Sequence, residues 1–283
     1  MADPRAPFGI VAGGGPFPVL CAKAAHEAGR EVVCVAHTGE TTKDIVPYCD
    51  QIKWIHLGQL GKLIKFLKEA GCKECLFAGT IKKKRIFYDV RPDIRALALW
   101  RRIGPKLDDS ILRAISDELE KEGIQVVPST YFLKDLFMPE GVLTKRAPTK
   151  EEMEDIEFGF YIQKKIGALD IGQTVVVKSK TVLAVEAMEG TDETILRGGR
   201  LAHGSGCVIV KVAKPHQDMR FDVPSAGLAT IETMIDAGAN CLALEAGKSL
   251  FFDRDVAVAL ADQHKISIIG VDFSEDEGGD GEA

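Results

Sequence analysis

Short apolar runs alternate along this chain with stretches in which apolar residues return every three or four positions. Residues 8–12 (FGIVA), 31–36 (EVVCVA), 52–57 (IKWIHL) and 74–78 (ECLFA) are brief and rich in β-branched or aromatic side chains, which predicts strands. Between the last two, Leu60, Leu63, Ile64 and Leu67 recur at helical spacing, and a helix-like stretch runs from Pro16 to Gly29. Ile111, Leu112, Ile115 and Leu119 share one face of a helix over 108–122 that Gly123 ends, and residues 125–127 close this half as a strand. Residues 131–148 carry Pro139, Gly141 and Pro148 and no period of their own. Thr149 followed by Glu152 is a capping-box pattern that starts a helix running to about residue 168. Alternation then resumes. Strands are expected at 174–178 and 182–186 with Ser179-Lys180 as their turn, a short helix over 193–198, and a strand at 207–212. A helix at 225–237, a strand at 241–245, a helix at 253–263 and a strand at 266–271 follow.

Strand, glycine turn, helix and strand in succession open a doubly wound α/β sheet. The expected fold is therefore α/β in two domains. Residues 1–133 form an N-terminal Rossmann-like parallel-sheet domain that binds nucleotide or substrate, and 134–148 a linker. Residues 149–273 form a C-terminal α/β domain with a mixed sheet, which carries catalysis and metal. The acidic, glycine-rich tail at 274–283 is expected to be disordered.

With 283 residues, two domains are a natural division, and each half can bury its own core. Thirty-six basic against 42 acidic residues leave a net charge of −6, which speaks against a nucleic-acid binder. Seven cysteines, an odd number lying mostly in apolar runs, suit a reducing cytosol. The Cys72–Cys75 pair has no second pair beside it and is weak support for zinc. Residues 1–7 do not read as a signal peptide, and no apolar run is long enough to span a bilayer. A cytoplasmic location is expected.

The candidate chemistry centres on residues 186–222. Glu189, Asp192, Asp218 and Asp222 stand on loops around the apolar run 207–212, with Arg197, Arg200, Lys211, Lys214 and Arg220 close by. Short acidic side chains on stiff loops suit a hard divalent cation, and the cations suit a phosphate. Helix caps and solvated loops would account for the same acids. Arg220 and Asp222 alternate with Phe221 and Val223 ahead of Pro224, which predicts an extended segment with the charged pair on one side. Gly13, Gly14 and Gly15, between a strand and a helix, could bring backbone N–H groups to a phosphate or could serve a tight turn. Pro18 occupies the last glycine position of a dinucleotide fingerprint, so that fingerprint is not met. The run Lys82-Lys83-Lys84-Arg85, just after Thr80, reads as a solvated face or as cations for a diphosphate or lipid headgroups. Asp108 suits a helix cap, and Asp109 beside it is a weak candidate for the site. The six histidines make no HxH or HExxH spacing, and no serine sits in a G-x-S-x-G elbow, which directs the chemistry toward carboxylates.

The segments EGTDETILRGG at 189–199 and KVAKPHQDMRFDVPSAGLAT at 211–230, with the opening AGGGPFP at 12–18, resemble the bacterial UDP-2,3-diacylglucosamine pyrophosphatases of lipid A biosynthesis. The resemblance runs from about Phe8 to Asp272. It implies hydrolysis of the substrate diphosphate to UMP and 2,3-diacylglucosamine 1-phosphate, with Mg²⁺, Mn²⁺ or Co²⁺ as cofactor. It implies Asp222, Asp218 and Arg220 as catalytic residues, and Asp222, Asp192 and Glu189 as metal ligands. Gly13, Gly14, Gly15, Thr80, Thr191, Lys211 and Lys214 would bind the nucleotide-lipid substrate. An apolar cleft for the acyl chains, peripheral contact with the inner-membrane surface and room for a homodimer complete the expectation. A nicotinamide-dependent oxidoreductase and a non-catalytic nucleotide-sugar or lipid-binding protein are the rival readings.

Overall fold

A computed structural model describes residues 6–81, 90–103, 108–215 and 217–273. The chain divides into two compact units, residues 1–134 together with 218–222, and residues 135–217 together with 223–283.

The first unit is built on five parallel strands: β1 (Phe8–Ala12), β2 (Val32–His37), β3 (Gln51–Ile55), β4 (Glu74–Ala78) and β5 (Gln125–Val126). They lie in the order β3-β2-β1-β4-β5, with Phe8 opposite both Val32 and Glu74. Its helices are α1 (Phe17–Glu27), α2 (Leu60–Glu69), α3 (Ile94–Ile103) and α4 (Asp108–Lys121). β1 is buried along its whole length, as a central parallel strand must be. Val33, Val35, Leu63, Ile64, Leu67, Cys75 and Leu119 make one core, so the residues at helical spacing in α2 face it, and in α4 Leu119 and Ile115 do while Ile111 is exposed. Strand order reverses between β1 and β4, and ligands of such sheets bind outside the carboxyl ends of the strands at that point. The sequence pattern does not announce α3. Ile94, Leu97 and Trp100 are exposed, while Ala96 and Leu99 turn inward to the core.

The second unit contains β6 (Gly141–Val142), β7 (Thr174–Lys178), β8 (Thr181–Val185), β9 (Val208–Lys211), β10 (Ser225–Ala226), β11 (Cys241–Glu245), β12 (Leu250–Phe251) and β13 (Ser267–Val271). Its helices are α5 (Lys150–Ala168), α6 (Thr191–Leu201), α7 (Leu228–Ala237) and α8 (Arg254–Gln263). Six strands form a mixed sheet in the order β6-β13-β11-β9-β7-β8, parallel through β9, β11 and β13 and antiparallel at both flanks. β10 and β12 form a separate parallel pair. The α/β fold, with one parallel and one mixed sheet, is as the alternation implies.

Local chemistry explains several boundaries. The α5 capping box forms, with Glu152 N–H donating to Thr149 Oγ1 at 3.2 Å and Thr149 N–H to Glu152 Oε2 at 2.8 Å. Ser179 and Lys180 both take positive φ in the β7–β8 hairpin, and Asp155 accepts both of their N–H groups. Residues 135–148, which show no period, fold into the second unit: β6 pairs with β13, and Arg146 Nη2 donates to both Glu152 carboxylate oxygens at 2.7 and 2.9 Å. The helix expected from residue 225 begins at Leu228, because Ser225 and Ala226 pair with Leu250 and Phe251 instead.

Candidate functional site

The carboxyl edge of the first sheet is shaped by its glycines. Gly13 N–H donates to Ala78 O at 2.8 Å, while Gly14 and Thr80 exchange hydrogen bonds at 2.7 and 3.1 Å. A Cβ on Gly13 would lie 2.7 Å from Thr80 O, and one on Gly79, at φ +86°, would lie 2.4 Å from Gly14 O. The glycines therefore let two backbones run against each other. The expectation that Gly13 and Gly14 offer their N–H groups to a phosphate is corrected here, since both are spent on β4 and its continuation. Gly15, at φ +87° with open space around it, and the exposed Thr80 lie at this carboxyl edge.

Three polar side chains missed in the sequence stand beside this loop. Ala12 O accepts from Thr41 Oγ1 at 2.7 Å and lies 2.9 Å from His37 Nδ1. Burial pushes the His37 pKa down despite that carbonyl and the nearby Glu40 charge. Because a carbonyl oxygen only accepts, the ring donates from Nδ1. Glu40 is buried against Gly14, whose Cβ would meet Glu40 Oε2 at 3.2 Å. Their only signal in the sequence is position, as polar residues closing or following an apolar strand.

The 218–222 segment belongs to this same unit. It is a turn and not the extended run expected from its alternation. Phe221 and Asp222 donate backbone N–H groups to Asp218 O at 3.0 and 3.2 Å. The cause is Asp218, whose carboxylate accepts from Arg220 N–H, from Nε at 3.0 Å and from Nη2 at 2.9 Å. Arg113 adds a contact at 3.4 Å. The Arg220 side chain first, and then its N–H and charge, hold the Asp218 carboxyl below the usual carboxylate range. Phe221 stands edge-on to Phe77 of β4 at 5.7 Å, and Ser129 N–H, just past β5, reaches Arg220 O at 3.3 Å. The turn is thus fastened to the carboxyl edge near β4 and β5, with Asp222 exposed at its end.

The remaining candidates lie in the second unit. Lys211 closes β9, is buried, and donates to Thr191 Oγ1 at 2.8 Å; Thr191 in turn donates to Glu186 Oε1 at 2.9 Å. Thr191 opens α6 after Gly190, whose φ of +88° suits glycine. Lys214 pairs with Asp170 at 2.5 Å. Glu189 is engaged by Arg197 Nη2 at 2.6 Å, and hydrogen bonding to its own backbone leads the causes that hold its pKa low. Asp192 is exposed in the first turn of α6, where a negative charge faces the positive end of the helix dipole. Glu245, also missed, ends β11 fully buried. It accepts from Lys164 at 2.8 Å, Lys248 at 2.8 Å and Ala213 N–H at 2.8 Å, fixing the loop after β9.

Among the described residues no three His, Cys, Asp or Glu side chains converge on a place for a metal ion. Asp222 belongs to the first unit, and Glu189 and Asp192 to the second. The expected ligand trio therefore does not assemble as one set within either unit. The basic run 82–85 and the side chain of Asp109 lie outside what is described. No described helix is long and apolar enough to cross a membrane.

Residues 7–136 match the family model of the LpxI N-terminal domain, and residues 139–269 that of the LpxI C-terminal domain. The sequence is 36% identical over 281 residues to the UDP-2,3-diacylglucosamine pyrophosphatase LpxI of Caulobacter vibrioides, covering 95% of this chain and 98% of that protein. Among solved structures, N5-carboxyaminoimidazole ribonucleotide synthetase from Thermotoga maritima aligns at 14% identity and TM-score 0.25, over 65% of this chain and 42% of that one. Phosphoribosylglycinamide synthetase from Anaerococcus prevotii aligns at 12% identity and TM-score 0.27, over 68% and 42%. The chain spans less than half the length of these two structures, and at such scores neither informs its function.

Proposed function

The chain belongs to the LpxI family, and on that footing we propose that it hydrolyses the diphosphate of UDP-2,3-diacylglucosamine to UMP and 2,3-diacylglucosamine 1-phosphate in lipid A biosynthesis. The observation that supports a site on the first unit is the 218–222 turn. A segment far along the chain is folded back onto the carboxyl edge of the first sheet, where β1 and β4 diverge in topology.

Water adds to one phosphorus, the bridging P–O bond breaks, and the two products leave as phosphomonoesters. Asp222, exposed at the end of the turn, takes the proton from that water. Asp218 is already bound by Arg220 and Arg113, so its part is to aim the Arg220 guanidinium at the charge gathering on the phosphates. Lys211, held by Thr191, and Lys214, both of the second unit, are kept as residues that bind the nucleotide-lipid. Gly15 and Thr80 border the nucleotide.

A divalent cation is retained in the proposal for its fit to diphosphate chemistry. The described carboxylates do not gather into a ligand set, so no step is routed through it. Release of UMP from a UDP-acyl-sugar, with Mg²⁺, Mn²⁺ or Co²⁺ and again after EDTA, tests both statements. Absence of UMP under every metal condition defeats the reaction; full activity in metal-free buffer defeats the cation requirement alone.

A further inference from the structure

Helix α3 is unusual in this protein because three of its large apolar residues point away from the core. Ile94 is 87% exposed, Leu97 48% and Trp100 54%, while Ala96 and Leu99 pack inward. At 100° per residue, Trp100, Leu97, Arg101 and Ile94 follow one another around a single outward stripe. Nothing in a globular fold calls for three large apolar side chains in water on a helix of ten residues.

Arginine predominates along this helix and in the residues that lead into it. Residues 90–103 hold four arginines (Arg91, Arg95, Arg101, Arg102) and one acid, Asp93, in a chain whose net charge is −6. Asp93 is occupied as a cap, accepting from Ala96 N–H at 2.9 Å and from Gly61 N–H at 2.7 Å. Arg95 and Arg102 meet Glu118 of α4, Arg95 also meets Glu122, and Arg91 and Arg101 are exposed. Through Asp93 the start of α3 is tied to the start of α2, which follows the carboxyl end of β3. The helix is therefore anchored at the edge of the sheet that carries the candidate site.

We propose that the exposed face of α3 docks this protein on an anionic lipid surface, with Ile94, Leu97 and Trp100 entering the headgroup boundary and Arg91 and Arg101 meeting lipid phosphates. Apolar side chains on one face, an interfacial tryptophan and flanking arginines are what a helix lying in that boundary requires. This extends the proposed function, from which it takes only that the substrate carries acyl chains.

The test uses the full chain with Trp54→Phe, which leaves Trp100 as the sole tryptophan of the two present. Vesicles of phosphatidylglycerol and phosphatidylethanolamine should shift Trp100 emission to the blue, and about 0.5 M salt should weaken the effect. Adding Leu97→Glu and Arg101→Glu should weaken partitioning about tenfold or more. Circular dichroism should stay unchanged, and turnover of micelle-dispersed substrate should stay within about twofold. No blue shift, or equal partitioning by the variant, overturns the proposal. Loss of micellar turnover alongside binding would assign the face to the substrate cleft. A change of oligomeric state in the variant would assign it to a second copy of the chain. Either of these also overturns it. Vesicle binding needs no catalysis, so a parent that binds vesicles but releases no UMP would refute the reaction and leave the docking face standing.

Discussion

Asp222 and Asp218 lie four positions apart in one turn. Asp218 is held by two arginines, and Asp222 is exposed where the turn ends. Asp222→Ala removes a carboxylate without touching Phe221, so thermal stability should hold. Turnover should fall by about two orders of magnitude or more, the scale of losing a general base. Steady-state rates close to the parent's would place the base elsewhere. Glu245 is the opposite kind of residue, structural and fully buried between two lysines. Glu245→Ala leaves Lys164 buried beside an empty site, which should cost about 3–5 kcal/mol in urea unfolding. A loss well under 1 kcal/mol would mean that water replaces the carboxylate without penalty. The structural role of Glu245 could not be read from residue type, because in the sequence it only ends the apolar strand 241–245, and its two lysines and the Ala213 N–H are far along the chain or unmarked.

At the scale of elements, the sequence was most legible where burial and period agree. α2, α5, β4, β7 and β11 begin and end within a residue or so of expectation, because their apolar faces are the ones the core uses. α3 escaped since its period points outward, and β6, β10 and β12 escaped since two residues carry no period at all. The 218–222 turn was misread because alternation implies extension only when no side chain captures the backbone, and Asp218 does so. The glycine loop illustrates the same limit. Three glycines after a strand suit a phosphate and suit close backbone packing, and here the packing claims Gly13 and Gly14. Gly79→Ala should therefore destabilise the first unit by about 1–3 kcal/mol or more, from positive φ and the clash with Gly14 O together. An unchanged urea midpoint would show that the β1–β4 edge is looser than its hydrogen bonds imply.

At the scale of the whole molecule, the chain crosses between its units three times, since residues 218–222 leave the second unit to complete the first and then return. The first unit is therefore not finished by residues 1–134. What fastens the returning turn is partly apolar, Phe221 on Phe77, and partly ionic, Asp218 with Arg113 and Arg220 with Glu120, while the Asp218–Arg220 pair braces the turn itself. The ionic part carries a pH signature whose sign is fixed. The folded Asp218 pKa lies below that of an unfolded aspartate, so its contribution is complete above the unfolded value, about 4. It is lost as pH falls through the lower folded value. Asp218→Asn removes the titration and keeps the shape. The stability gap between parent and Asp218→Asn, read from urea unfolding, should be constant between about pH 6 and 8 and narrower at about pH 3. Arg220 keeps its charge throughout, because its partner Asp218 raises a pKa that is already high. A gap that stays the same at both ends of the range would show that the turn is held by Phe221 and its backbone alone, with the aspartate–arginine fork contributing nothing to its attachment.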